Sequence, residues 1–214
     1  MSLGLNPREA RSSMSATSPI ELVFSTPGRG PRQSAVFLDR DGLINRKIAG
    51  GYVTRWSEFS FMPGLERALL SLASSKRPVV IVSNQACVEK GLLDEKALAA
   101  ITVRFVSELS RTGIRIDGAY YCPHVPSARC GCRKPRPGML LRAAATWNIE
   151  LATSVLVGDS MADVETAMAT GCKAILFQPD RGEETGPADL VVAQTMDEVA
   201  RRLDEHFSSM ESRV

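Results

Sequence analysis

Short apolar runs that each stop at a polar residue constrain this chain more than any other feature. Ala35-Val36-Phe37-Leu38 runs into Asp39, Val79–Val82 into Ser83, Ala119–Tyr121 into Cys122, and Ser154–Gly158 into Asp159. Runs this short and this uniformly apolar fit strands buried on both faces of a parallel sheet. Stretches of helical periodicity lie between them. Pro63 opens one with Leu65, Leu69 and Leu72 on a single face. Asp94 is placed to cap a longer one carrying Leu98, Ile101, Phe105 and Leu109, which ends near Gly113. A third begins at Pro137, and a fourth spans about Met161 to Thr170 before Gly171. Lys173–Phe177 and Leu190–Val192 read as late strands, and Met196–Phe207 as a closing amphipathic helix. Strands alternating with helices predict βαβ units. The expected fold is α/β, a doubly wound, mostly parallel, Rossmann-like sheet with helices on both faces. Ligands in such sheets bind beyond the carboxyl ends of the strands, so the four polar stops mark where chemistry is to be sought.

The length of 214 residues predicts one domain, with 44% hydrophobic residues to fill its core. We expect it to span 34–208, between a flexible N-terminal tail over 1–33 and a C-terminal tail over 209–214. The net charge is only +2, and residues 1–34 hold four Arg against two Glu, so the remainder is balanced at 22 basic and 22 acidic side chains. A balanced domain argues against nucleic acid or an acidic membrane surface as partner. No apolar run approaches the roughly 20 residues of a membrane span, and no apolar segment marks a secretory signal. A cytoplasmic location and a monomer are expected.

Asp39-Arg40-Asp41-Gly42 places two carboxylates at i and i+2 after a strand, with a glycine to let the backbone turn. Such a pair divides labour between attack on an electrophile and handling of a proton or a metal. Asp159 brings a third acid to the same crevice, a set that suits Mg²⁺. Asp163, four residues on, either caps the next helix or joins the metal site. Ser83-Asn84-Gln85-Ala86 supplies a hydroxyl, amides and backbone N–H groups able to hold phosphate oxygens, and Lys134 in Arg133-Lys134-Pro135 is a candidate to neutralise a phosphoryl group. Cys122-Pro123-His124 and Cys130-Gly131-Cys132 provide three thiols and one imidazole within eleven residues, the closed four-ligand set of structural Zn²⁺. The remaining Cys87 and Cys172 default to core positions, and His206 carries no assignment.

Taken in order, AVFLDRDG, VSN, RKP and GDSMAD over about Ala35–Ile175 resemble the motif set of the haloacid dehalogenase superfamily of Mg²⁺-dependent phosphatases. The loop CPH…CGCRKP at 122–135 further resembles the subgroup of heptose bisphosphate and histidinol phosphatases. The resemblance implies that Asp39 is the nucleophile and an Mg²⁺ ligand. Asp41 would serve as acid, then base, its carbonyl reaching Mg²⁺; Asp159 would complete the metal site. Ser83 and Lys134 would hold the transferring phosphoryl group. Arg40, Gly50, Gly51, Tyr52, Asn84, Gln85, Ala86 and Arg133 would contact a small phosphorylated metabolite. No large cap domain fits between the motifs, so an open site is expected. Gly51-Tyr52-Val53 and Lys134–Met139 are similar to the heptose enzymes, whereas the short His124–Cys130 spacer is similar to the histidinol ones. The heptose reading is the leading one, with histidinol phosphate or another sugar phosphate as alternatives and a non-catalytic phosphosugar-binding protein as the distant one. Two departures stand out: Ser160 replaces a usual Lys or Arg, and Lys47–Gly50 lengthens the first loop.

Overall fold

The computed structural model describes residues 18–28, 30–73, 75–179 and 190–211. Its strands are β1 (Ile20–Val23), β2 (Val36–Leu38), β3 (Val79–Asn84), β4 (Gly118–Cys122), β5 (Val155–Gly158), β6 (Lys173–Phe177) and β7 (Val191–Ala193). The helices are α1 (Leu65–Ala73), α2 (Glu95–Arg111), α3 (Gly138–Trp147), α4 (Met161–Thr170) and α5 (Met196–Glu211). Alternate side chains of the central strands enter opposite layers, as the pleat requires. Val36, Leu38, Val79, Ile81, Val155 and Val157 pack with α1, α2 and α5. Phe37, Val80, Val82 and Leu156 pack with α3 and α4. Both faces are thereby covered, which is why these strands read as uninterrupted apolar runs.

The sheet order is β1-β4-β3-β2-β5-β6-β7, parallel from β4 through β7. From β2 the chain builds outward through β3 and β4 on one side and through β5, β6 and β7 on the other. Connectivity therefore reverses at β2, and a crevice opens beyond its carboxyl end. The helices bear the expected caps: Asp94 accepts from the Ala97 N–H at 2.7 Å, and Gly171 closes α4 with φ +75°. Leu65, Leu69 and Leu72 of α1 meet Val199, Leu203 and Phe207 of α5 within the first core. No described helix is long and apolar enough to cross a membrane.

One boundary differs from expectation. Ile20–Val23, placed in the flexible tail over 1–33, forms an edge strand antiparallel to β4, with Ile20 opposite Tyr121 and Val23 opposite Gly118. Ile20 and Leu22 pack onto the first core, and Glu21 receives a 2.7 Å hydrogen bond from Arg142 of α3. Four residues are too short for a periodicity to show, and pairing to a strand about 100 residues away leaves no local signal. At the other end α5 continues to Glu211, past the boundary expected at 208. Residues 1–17 and 212–214 lie outside the described residues.

Candidate active site

Asp39 leaves the end of β2 almost wholly buried, at 7% exposure. Its Oδ1 accepts from the Arg40 N–H at 2.7 Å and lies 3.0 Å from the Lys134 ammonium. Burial pushes its carboxyl up to about 6, with Lys134 pulling against it and Asp163 adding to the rise. The chain then turns within three residues: the Arg40 carbonyl accepts from the N–H groups of Ile44 and Asn45 at 2.8 and 3.0 Å. Gly42 makes that turn at φ +95°, and a Cβ there would lie 2.1 Å from Asp159 Oδ2. Glycine is thus required twice, for conformation and for the close approach of the two loops.

Asp41 is held on three sides. Its carboxylate accepts from the Arg40 guanidinium at 2.9–3.1 Å, from Asn45 Nδ2 at 2.9 Å and from Gln85 Nε2 at 2.8 Å. Burial alone would raise its carboxyl, but Arg40, Gln85 and Asn45 together hold it below the ordinary carboxylate value. Gln85 donates from the same amide to Ser83 Oγ at 3.2 Å, so the serine and Asp41 are set by one side chain. Lys134 reaches back from the loop after β4 and is 4% exposed. Its ammonium donates to the Val82 carbonyl at 2.9 Å and to Asp163 Oδ1 at 2.5 Å, besides its contact with Asp39. Burial would lower its pKa, yet Asp163 and Asp39 hold it well above the usual lysine value. Asn84 clasps the same loop, exchanging hydrogen bonds with the backbone N–H and carbonyl of Lys134 at 3.0 and 3.1 Å.

Asp163 caps the next helix and also stands beside the acid cluster. One oxygen pairs with Lys134 and the other closes a capping box with Ser160, accepting from its hydroxyl at 2.5 Å and its N–H at 3.2 Å. Carboxylate oxygens of Asp39, Asp159 and Asp163 lie within 4.8 Å of one another, a set of hard donors that fits a divalent cation such as Mg²⁺. The Asp41 carboxylate is outside that set. Asp159 itself receives a 2.7 Å hydrogen bond from Lys47, a contact that crosses 112 residues of sequence and that no motif spacing announces.

The four ligands of the loop after β4 also converge. Cys122 Sγ lies 3.5 Å from both Cys130 Sγ and His124 Nδ1, and Cys132 Sγ lies 3.3 Å from His124 Nδ1 and 3.5 Å from Cys130 Sγ. Ligand bonds of about 2.3 Å in a tetrahedron imply edges near 3.8 Å, so the cluster fits one Zn²⁺. Donation from Cys132 holds the Cys122 thiol down at about 5, while Cys132 is pushed up. Cys122, Cys130 and Cys132 pack beside Met139 and Leu140, fixing the loop that carries Lys134 to the start of α3.

Several expected substrate contacts are engaged with other parts of the chain. Arg40 is 0% exposed, its guanidinium turned inward onto Asp41 and lying 5.9 Å over the Tyr121 ring. Gln85 is likewise fully buried beneath Ser83 and Asp41, and Ala86 is buried beside it. Arg133 is half-buried and donates to the His124 carbonyl at 3.1 Å. Tyr52 accepts from Lys90 at 3.0 Å, tying the first loop to the segment after β3. Gly50 and Gly51 are exposed on that loop, with the Gly51 N–H returned to the Ile48 carbonyl.

Comparison with known proteins agrees with this architecture. A family model described as HAD-hydrolase-like matches residues 131–206. The chain is 42% identical over 140 residues to the D-glycero-alpha-D-manno-heptose-1,7-bisphosphate 7-phosphatase of Mycobacterium tuberculosis, covering 65% of this chain and 74% of that one. It is 36% identical over 174 residues to the D-glycero-beta-D-manno-heptose-1,7-bisphosphate 7-phosphatase of Photorhabdus laumondii, covering 76% and 92%. Among solved structures it is similar to the D,D-heptose 1,7-bisphosphate phosphatase of B. bronchiseptica, crystallised with magnesium and phosphate. That match has a TM-score of 0.72 at 31% identity over 81% of this chain and 99% of the other. With its acids gathered at the switch point of the sheet and these relatives at 36–42% identity, the chain belongs to the haloacid dehalogenase-like phosphatases.

Proposed function

We propose that the chain hydrolyses the 7-phosphate of D-glycero-D-manno-heptose 1,7-bisphosphate, with Mg²⁺ at Asp39 and Asp159 and structural Zn²⁺ in the Cys/His loop. The observation that carries this reading is the Lys134 ammonium seated on Asp39 within the acid cluster. When bound, Mg²⁺ supplies neutralisation of phosphoryl charge, which lets an anionic carboxylate approach. Asp39 attacks phosphorus and the bond to the sugar oxygen breaks, leaving an aspartyl-phosphate. The leaving oxygen takes its proton from Asp41. Arg40, Gln85 and Asn45 favour the ionised form, so the proton Asp41 donates is one it takes up against them when substrate binds. In the second half Asp41, now a carboxylate fixed by Arg40, Asn45 and Gln85, takes a proton from the attacking water. Phosphate departs and Asp39 is restored. Ser83 and Lys134 hold the phosphoryl oxygens through both halves.

Mg²⁺-dependent phosphate release, compared for heptose 1,7-bisphosphate and histidinol phosphate, tests the substrate. The expected outcome is a kcat/KM ratio of roughly a hundredfold or more for the heptose, about 2.7 kcal/mol of transition-state discrimination. The reverse preference would make the short His124–Cys130 spacer the better guide. Asp39→Asn is expected to abolish turnover with the circular dichroism spectrum unchanged; residual wild-type turnover would remove Asp39 from the mechanism.

A further inference from the structure

Lys47 is a cation at the acid cluster to which the scheme above gives no role. It arrives on the loop after β2, its side chain 58% exposed, and its ammonium lies 2.7 Å from Asp159 Oδ2, whose side chain is 15% exposed. The loop after β5 places Ser160 and not a cation next to Asp159, and the Ser160 hydroxyl donates to Asp163. The same Asp159 oxygen is hemmed on its other side by the Gly42 backbone. An ammonium on that oxygen and a divalent cation on the same carboxylate repel each other at short range, so the two compete for Asp159.

Leaving Asp159 does not return Lys47 to bulk water alone. A groove of about 970 Å³ has Gly42, Asp159, Arg46, Lys47, Arg67 and Asp197 in its lining. Arg67 lies 3.6 Å from Asp197, both of them exposed. Once a metal neutralises Asp159, three cations face one remaining acid among the described lining residues, and the groove becomes an anion site that borders the cluster at Asp159.

We propose that Lys47 is a tethered cation that holds Asp159 until Mg²⁺ arrives and then serves, with Arg46 and Arg67, to bind a second anionic group of the substrate in this groove. The inference rests on the phosphatase reading and deepens it, by giving the phosphoryl group that is not hydrolysed a place to bind. Lys47 is thus a positioning residue toward the metal and a specificity residue toward the substrate.

The test begins with Mg²⁺ alone. Protein freed of Mg²⁺ by gel filtration, so that the Cys/His metal is retained, is titrated calorimetrically as wild type, Lys47→Met and Lys47→Arg. Lys47→Met should bind Mg²⁺ about two- to fivefold more tightly, the scale of an exposed ion pair removed from competition, and Lys47→Arg should stay close to wild type. Unchanged or weaker Mg²⁺ binding in Lys47→Met would overturn the proposal, since a lysine that merely orients Asp159 gives that result. The second readout is the preference for heptose 1,7-bisphosphate over heptose 7-phosphate in kcat/KM. It should fall about tenfold in Lys47→Met and recover in Lys47→Arg; an equal loss on both substrates would refute the anion site. If the wild type hydrolyses neither sugar phosphate, the phosphatase reading and the anion half fall together, while tightened Mg²⁺ binding would leave the exchange at Asp159 standing.

Discussion

The residues that carry charge in this crevice divide into those that sequence spacing places and those that only the folded chain places. Asp39, Asp159 and the Cys/His set follow short spacings at strand ends, so the sequence itself makes them legible. Lys47 and the buried role of Arg40 are not. The first reaches its partner across 112 residues, and nothing in Asp39-Arg40-Asp41 tells whether the guanidinium turns outward or folds onto its neighbour. The inward choice has a measurable cost when undone. Arg40→Met leaves the Asp41 carboxylate desolvated without its cation and is expected to destabilise the fold at pH 7 by about 2–4 kcal/mol, read from urea unfolding. The pH dependence fixes the cause. Asp41 lies below its ordinary value near 3.8 in the wild type, so its ionised form contributes stability above that pH, and the contribution is lost as pH falls through the folded value. Without Arg40, burial dominates and the sign reverses, because protonation then relieves a buried charge. The stability gap between the two proteins should therefore narrow as pH falls from the variant's raised value through 3.8 to the wild type's lowered one; a gap constant with pH would mean the loss is one of packing.

Among the elements, the metal loop and the first strand make the contrast between strong and weak sequence signals. Three thiols and an imidazole in eleven residues have few alternative uses, and they do converge. The loop packs its cysteines beside α3 and carries Lys134, so its order bears on the Lys134–Asp39 pair as well as on stability. Metal analysis of protein purified without added metal should find about one Zn²⁺ per chain. Cys132→Ser should lose it, with a fall in Tm of roughly 5–10 °C, the response to about 2–4 kcal/mol in a chain of this size. A metal-free protein melting at the wild-type temperature would exclude a structural ion. β1 is the opposite case: its four residues pair with a strand distant in sequence, and neither length nor pattern sets it apart from the tail. Removing residues 1–24 uncovers the edge of β4 and the apolar surface under Ile20 and Leu22, for an expected loss of about 2–3 kcal/mol in urea. Equal midpoints for the two forms would mean that the strand adds nothing to the fold.

At the scale of the whole molecule, the order β1-β4-β3-β2-β5-β6-β7 puts the strand that ends at Asp39 in the middle of the sheet and draws the site from both halves. The alternation of apolar runs and helical stretches predicts the parallel sheet, because each right-handed crossover is a local event. It does not predict the groove leading from Asp159, whose lining is gathered from the first loop, from the segment after β6 and from the start of α5. The central place of β2 also has a consequence for synthesis. Its neighbour on one side, β3, emerges about 40 residues later, but β5, on the other, does so only after some 120. At about 5–20 residues per second the ribosome leaves the Val36-Phe37-Leu38 edge without its second partner for roughly 6–24 s. During that interval a strand that ends wholly buried is an open template for pairing with another chain. Nascent chains stalled before Val155 are thus expected to be the aggregating species in the cell, and to lack activity whatever their length.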